Sequence, residues 1–98
     1  MTIKWPTGLN PTGPVLIIAT NLYKAALAEE LLTGDVDTYI ASPRALDRTR
    51  GLHVDHVLIE QGLETNRDIM ENVMPCLVTH NNPNDRIGLI EWTSLDEN

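Results

Sequence analysis

The chain is poor in aromatic residues and in cysteine, and each shortage excludes a class of protein. Its 98 residues include no Phe, two Trp and two Tyr, so the core must be aliphatic, built from Leu, Ile and Val. The single cysteine, Cys76, excludes an internal disulfide and a multi-cysteine zinc site, and a lone thiol fits a reducing compartment. The longest unbroken apolar run, Val15 to Ala19, is far shorter than the ~18 residues of a membrane span.

Basic residues are scarce as well. Seven Lys and Arg stand against fourteen Asp and Glu, which gives a formal net charge of −7. A surface of this sign repels a phosphate backbone, which argues against non-specific nucleic-acid binding, and it suits either solubility or a partner protein with a basic surface. Residues 1–14 contain one Lys, three Pro and no apolar stretch of the kind found in a signal peptide. We therefore expect a cytoplasmic protein with no membrane association.

The pattern of apolar runs predicts one α/β domain over residues 1–98. Residues 1–13 are punctuated by Pro and Gly and predict an extended arm that contributes an edge strand at Thr2–Trp5, and residues 93–98 predict a frayed tail. The run Val15–Thr20 is apolar on both faces, as in a buried parallel strand. Two further strands are predicted, at Asp37–Ser42 and Val54–Gln61.

Helices are predicted between these strands. Asn21 is placed as the N-cap of a helix over Leu22–Thr33, with one apolar face expected to be buried. That face is formed by Leu22, Ala26, Leu27, Leu31 and Leu32. Ser42 followed by Pro43 predicts the start of a short helix, Pro43–Arg50. A third helix is expected over Thr65–Met74.

The last part of the chain predicts a β-hairpin. Cys76–His80 and Ile87–Trp92 are apolar runs, and the residues between them, 81–86, are dense in turn formers. The alternation of strands and helices before it predicts right-handed crossovers. The expected fold is a small three-layer α/β sandwich with a mainly parallel sheet, crossover helices and a C-terminal β-hairpin.

Three stretches, in this order, resemble part of the first RecA-like domain of superfamily-two helicases and of phage terminase motors. PVLIIATNLYKAALAEELL, residues 14–32, is similar to the strand and helix that follow the phosphate loop. DTYIASPRALDRTRGL, residues 37–52, resembles the next helicase motif, and VDHVLIEQ, residues 54–61, sits where those proteins carry the Walker B strand. The resemblance covers about half of the chain and implies a RecA-like or Rossmann-like ancestry.

The sequence departs from this family at the motifs that carry its ATP chemistry. No phosphate-loop motif with its Lys exists in the chain, and the Walker B Asp-Glu pair is replaced by Glu60-Gln61. Taken with the resemblance, these departures imply a half-domain that has lost ATP chemistry, and a small phage-encoded protein is a plausible source. We expect no cofactor.

Ligands in open α/β sheets bind at the carboxyl ends of the strands, so polar residues there form a candidate binding rim. The rim residues are Thr20, Asn21, Ser42, Glu60, Gln61 and His80. A hydrolytic triad of Ser42, His80 and Glu60 would need an exposed serine elbow, and no G-x-S-x-G motif is present. Ser42 is more simply a helix cap, so no catalytic residue is assigned.

Two other clusters have a functional and a structural interpretation. His53, His56, Cys76 and His80 are soft metal ligands, but their spacing matches no compact zinc site, and structural histidines are the commoner case. We therefore predict no metal site. Arg44, Arg48 and Arg50 gather three of the positive charges on one short helix. The helicase resemblance implies a phosphate contact there, whereas the negative whole-protein field favours a solvated face.

Ile90 and Trp92, near the end of the chain, complete the candidates. Trp92 is either a core residue or an interface anchor, and the outer edge of the predicted hairpin offers a strand that can pair with a second copy in a homodimer. Together these features predict a non-enzymatic, acidic protein-interaction module. The alternative is a nucleotide- or nucleic-acid-binding remnant that uses the rim and the arginine-rich helix.

Overall fold

A five-stranded sheet forms the centre of the computed structural model, which describes residues 1–6, 13–32, 36–77 and 82–92. The strand order is β1-β5-β4-β2-β3, and all neighbours are parallel except β1, which runs antiparallel to β5. The strands are β1 (Thr2–Lys4), β2 (Val15–Ile18), β3 (Thr38–Ala41), β4 (His56–Glu60) and β5 (Ile87–Glu91). The predicted mainly parallel sheet and the edge strand near the start of the chain are confirmed.

Two of the inner strands, β2 and β4, are apolar on both faces and need cover on both sides. Alternate side chains of β2 enter two separate apolar clusters: Leu16 and Ile18 point to one face, and Val15 and Ile17 to the other. All four are fully buried. The sheet is therefore the middle layer of three.

Helices cover the two faces. Helix α1 (Leu22–Leu31) packs on the Val15 side, and helix α2 (Arg67–Val73) packs on the Leu16 side. Four short 3₁₀ helices complete the described connections, at Leu46–Thr49, Leu63–Thr65, Met74–Leu77 and Pro83–Arg86. The predicted three-layer α/β sandwich is confirmed. Within the described ranges, none of the helices has the length and apolar character needed to cross a membrane.

The buried face of α1 differs from the prediction. Its fully buried residues are Ala25 and Ala28, whereas Leu31 is 51% exposed. Two alanines let the helix backbone lie close to the sheet, and the longer leucines flank this contact instead of making it. The predicted N-cap is confirmed, because the side chain of Asn21 accepts a hydrogen bond from the backbone N–H of Lys24 at 2.8 Å.

The predicted helix over Pro43–Arg50 is wrong. Pro43 and Arg44 lie in a turn, and the 3₁₀ helix begins at Leu46 with Ala45 as its N-cap. Ser42 contributes its backbone carbonyl to this turn, accepting from Ala45 N–H at 2.9 Å. The backbone bonds here, such as Arg48 N–H to the Ala45 carbonyl at 3.2 Å, span three residues instead of the four of an α-helix, and Gly51, with a φ of 72°, follows the segment.

The predicted C-terminal hairpin is also wrong. Cys76 and Leu77 belong to a 3₁₀ helix, and β5 is hydrogen-bonded on one side to β4 and on the other to β1. With both of its edges occupied, β5 has no place for a hairpin partner. Residues 78–80 and the predicted tail, 93–98, lie outside the described residues, as do residues 7–12 of the predicted arm.

Candidate functional site

The strand order places a crevice at the carboxyl ends of β2 and β4. From β2 the chain passes through α1 to β3 on one side, and then crosses back to β4 on the other side of β2. The connections thus diverge between β2 and β4, which is the topological switch point where open α/β sheets bind ligands. Thr20 and Asn21 follow β2 at this point, and Glu60 is the last residue of β4.

Glu60 is the centre of this crevice. It is 8% exposed, and both of its carboxylate oxygens are engaged. The hydroxyl of Thr20 donates to Oε2, and the indole Nε1 of Trp92 donates to Oε1 at 2.8 Å. The ammonium of Lys24 lies 3.8 Å from the same Oε1. A buried carboxylate needs such partners, and here the chain itself supplies them.

Sequence reasoning did not identify Lys24 and Trp92 as partners of the Glu60 carboxylate. Lys24 stands in the first turn of α1, where the Asn21 cap fixes its backbone above the strand ends. Its ammonium also lies 5.4 Å from the centroid of the Trp92 ring, within the range of a cation–π contact. The cap was a usable signal for the position of Lys24, but nothing local indicated its partner.

The rest of the predicted rim is dispersed. Ser42 is 5% exposed and follows β3, which is separated from β4 by β2. Gln61 is exposed, and its backbone N–H donates to the Ile90 carbonyl at 2.8 Å. His80 lies outside the described residues. The structure thus joins Thr20 to Glu60 but leaves Ser42 a strand away.

The residues weighed as metal ligands do not gather. His56 lies edge-on to the Trp5 ring on the α1 face of the sheet, with ring centroids 5.4 Å apart. Cys76 is buried on the opposite face, where its thiol lies 3.5 Å from the carbonyl oxygens of Thr49 and Asn72. Across residues 1–6, 13–32, 36–77 and 82–92, no three His, Cys, Asp or Glu side chains form a group that could hold a metal ion.

The three arginines are exposed but do not share a helical face. Arg44 lies in the turn after β3, whereas Arg48 is in the 3₁₀ helix and Arg50 follows it. Arg50 borders a shallow cavity of about 340 Å³ that His53 also lines. His53 precedes β4, so this cavity lies toward the amino ends of the strands, away from the crevice around Glu60.

The two residues of the predicted interface, Ile90 and Trp92, differ in their burial. Ile90 is fully buried in the cluster beneath α1, which leaves it no surface for a partner. Trp92 is half-buried, and its polar N–H points inward to Glu60. Of the two interpretations of Trp92, the described contacts favour the core residue.

Comparisons with models of protein families, with curated proteins and with solved structures found no match to this chain. The resemblance to helicases and terminase motors therefore stays a prediction from the sequence.

The hydrogen bond from Trp92 to Glu60 predicts that these two side chains are energetically coupled. Trp92→Phe keeps the ring but removes the N–H donor, and we expect it to lower the free energy of unfolding by about 1–3 kcal/mol, since the acceptor is a charged group. Glu60→Gln should cost less in the Trp92→Phe background than in the wild type. Denaturant unfolding of the four chains measures this coupling. Trp5→Phe is the matched control and should show none; equal coupling for both tryptophans would contradict the assignment.

The buried thiol predicts a pH dependence. Burial raises the pKa of Cys76 above its ordinary value, because the apolar surroundings disfavour the thiolate. The unfolded chain then loses this proton at lower pH than the folded chain. The thiol contribution to stability is therefore constant below the ordinary thiol pKa and falls as the pH rises above it. Unfolding curves of wild type and Cys76→Ala across this range should diverge at high pH; parallel curves would contradict the prediction.

Proposed function

We propose that this protein is a non-enzymatic protein-interaction module that binds an extended segment of a partner protein along the free edge of β3. The observation that carries the proposal is the uncharged backbone edge of this strand, which no described residue pairs. Among the strands that the structure describes, β3 has β2 as its one neighbour. Its sequence, Thr38-Tyr39-Ile40-Ala41, contains no charge and no proline.

The backbone register identifies the groups available to a partner. The N–H of Val15 donates to the carbonyl of Asp37 at 2.9 Å, which sets the parallel ladder between β2 and β3. In such a ladder alternate residues of a strand bond to the same neighbour, so the odd-numbered residues of β3 bond to β2. The N–H and C=O groups of Thr38 and Ile40 therefore point to the open side, as needed to bind an added strand.

The opposite edge of the sheet is protected in a way that β3 is not. Strand β1 is three residues long and contains Lys4, whose ammonium is 3.1 Å from Glu91. An edge lysine is a common device against unwanted strand pairing, and β3 has none. At β3 the exposed side chain is instead Tyr39, which is 43% exposed and offers an aromatic contact to a partner.

The contacts of Glu60 are accounted for by structure alone, which favours a non-enzymatic function. Its oxygens accept from the Thr20 hydroxyl and the Trp92 indole and lie near the Lys24 ammonium, and such partners are what a buried carboxylate requires.

The edge proposal is tested with a matched pair of variants at Thr38. A display library of random extended peptides is selected on the wild-type chain, and the affinities of the selected peptides are then measured on Thr38→Pro and Thr38→Val. Both variants remove the hydroxyl that donates to Glu29 at 2.5 Å, but only proline removes the outward N–H.

We expect binding to Thr38→Val to match the wild type and binding to Thr38→Pro to be roughly 2- to 10-fold weaker, the value of one hydrogen bond. Amide shifts on peptide addition should centre on Thr38 and Ile40. Peptides that bind both variants equally, or that shift amides elsewhere, would reject the edge as the binding surface.

A second candidate function is binding of a nucleotide or nucleic acid through the arginine segment. The observation that favours it is the exposure of Arg44, Arg48 and Arg50, none of which forms an ion pair with another described residue. Since Arg50 lies away from the crevice around Glu60, this candidate rests on the arginines and not on the rim.

Replacement of all three arginines by Ala tests the second candidate. If each guanidinium contacts a phosphate, the variant should bind a short single strand more weakly, and the slope of log affinity against log salt should fall by about 2, at ~0.7 per contact. Fluorescence anisotropy over a salt series measures both quantities. An unchanged slope would remove this candidate.

A further inference from the structure

We infer that the occupant of the β3 edge is a second copy of this chain, paired antiparallel across a two-fold axis to make one ten-stranded sheet. The inference rests on the proposed function, because it names the partner of the same edge. Two-fold symmetry is the commonest arrangement of homo-oligomers, and it requires that paired edge strands run antiparallel.

The outward groups define the register of this pairing. Thr38 and Ile40 carry the free N–H and C=O groups, so Thr38 of one copy must face Ile40 of the other for both to exchange hydrogen bonds. The symmetry then forms two such pairs and four hydrogen bonds. The axis passes between the two Tyr39 residues, which face each other as a non-hydrogen-bonded pair, where cross-strand side chains lie closest.

The side chains at the axis suit this arrangement. Tyr39 lies on the same face of β3 as Ala41, the α2 face, and is 43% exposed in the single chain. Two tyrosines opposite each other form an aromatic cross-strand pair, which is among the favourable pairings in antiparallel sheets. The exposed ring thus gains cover that the single chain does not give it.

Helix α1 adds a second contact on the other face. The carboxylate of Glu29 accepts from the Thr38 hydroxyl, so this side of the helix faces the free edge. Leu22 and Ala26 precede Glu29 by seven and three residues, so they share this side, and both are half-exposed. The two-fold axis brings the α1 helices of the two copies side by side and antiparallel, with the small Ala26 allowing close approach.

The charges at the ends of β3 are complementary under this symmetry. Asp37 precedes the strand, Arg44 follows it by three residues, and both are exposed. Antiparallel pairing brings the Asp37 end of each copy beside the Arg44 end of the other, and the symmetry repeats this contact. On the helix face it brings the acidic residues Glu29 and Glu30 toward the positive N-terminal end of the other α1.

The experiment combines the mass in solution with amide exchange at the edge. Light scattering over a concentration series should give twice 10.9 kDa for the wild type. In Tyr39→Lys two ammonium groups face each other at the axis, and the mass should fall to 10.9 kDa. Leu31→Lys is the matched control, because Leu31 is 51% exposed and lies nine residues after Leu22, which places it half a turn away on the opposite side of α1, so the dimer should stay unchanged. Circular dichroism confirms that each variant folds.

Hydrogen exchange of the wild type gives a result that does not depend on the variants. In the dimer the amides of Thr38 and Ile40 should exchange slowly. A monomer with fast exchange at both amides would overturn self-pairing and leave the edge open for another protein, which the Thr38 variants test. A monomer with slow exchange there would overturn the proposed function too, since the chain would then cover its own edge. A dimer that Tyr39→Lys leaves intact would overturn self-pairing at β3.

Discussion

Two strands without a polar face determine the architecture. Every side chain from Val15 to Ala19 and from Val57 to Ile59 is fully buried. Such strands can be satisfied only by hydrogen bonding on both edges and apolar cover on both faces. The chain therefore places α1 on one side and α2 with its 3₁₀ neighbours on the other. Because these connections lie on opposite faces, the chain reverses its direction across the sheet. The reversal creates the switch point between β2 and β4 at which Glu60 lies.

The strands and helix caps were predictable because their signals are local. A β-branched run such as Val15–Ile18 and a cap such as Asn21 act through neighbouring residues. The pairing of β5 was not predictable in this way. Turn-forming residues before it suggest a hairpin, but its hydrogen bonds go to β4 and to β1 at the other end of the chain. The turn chemistry at residues 82–86 instead forms a 3₁₀ helix that leads into a parallel strand.

The residues of the candidate site also fall into those that local signals predict and those that depend on the strand order. Thr20 and Glu60 were identifiable because both follow apolar strands, and parallel strands bring their carboxyl ends to one edge. Trp92 lies 32 residues from Glu60 along the chain, and its role depends on the order of the strands, which the sequence leaves open. The burial of Ala25 and Ala28 is another long-range effect, set by how closely α1 approaches the sheet.

The pairing of β1 with β5 also constrains how the chain can fold. Thr2 lies opposite Glu91, so almost the whole described chain separates the two partners. The loop between these partners must close before their contacts contribute, so we expect the parallel sheet of β2 to β5 to form first. During synthesis β1 therefore cannot pair until β5 has been made. Until β5 is in place, the apolar side of Ile3 and the ring of Trp5, which packs against Gly88, remain in water. We therefore expect β1 to be the last strand to join the sheet.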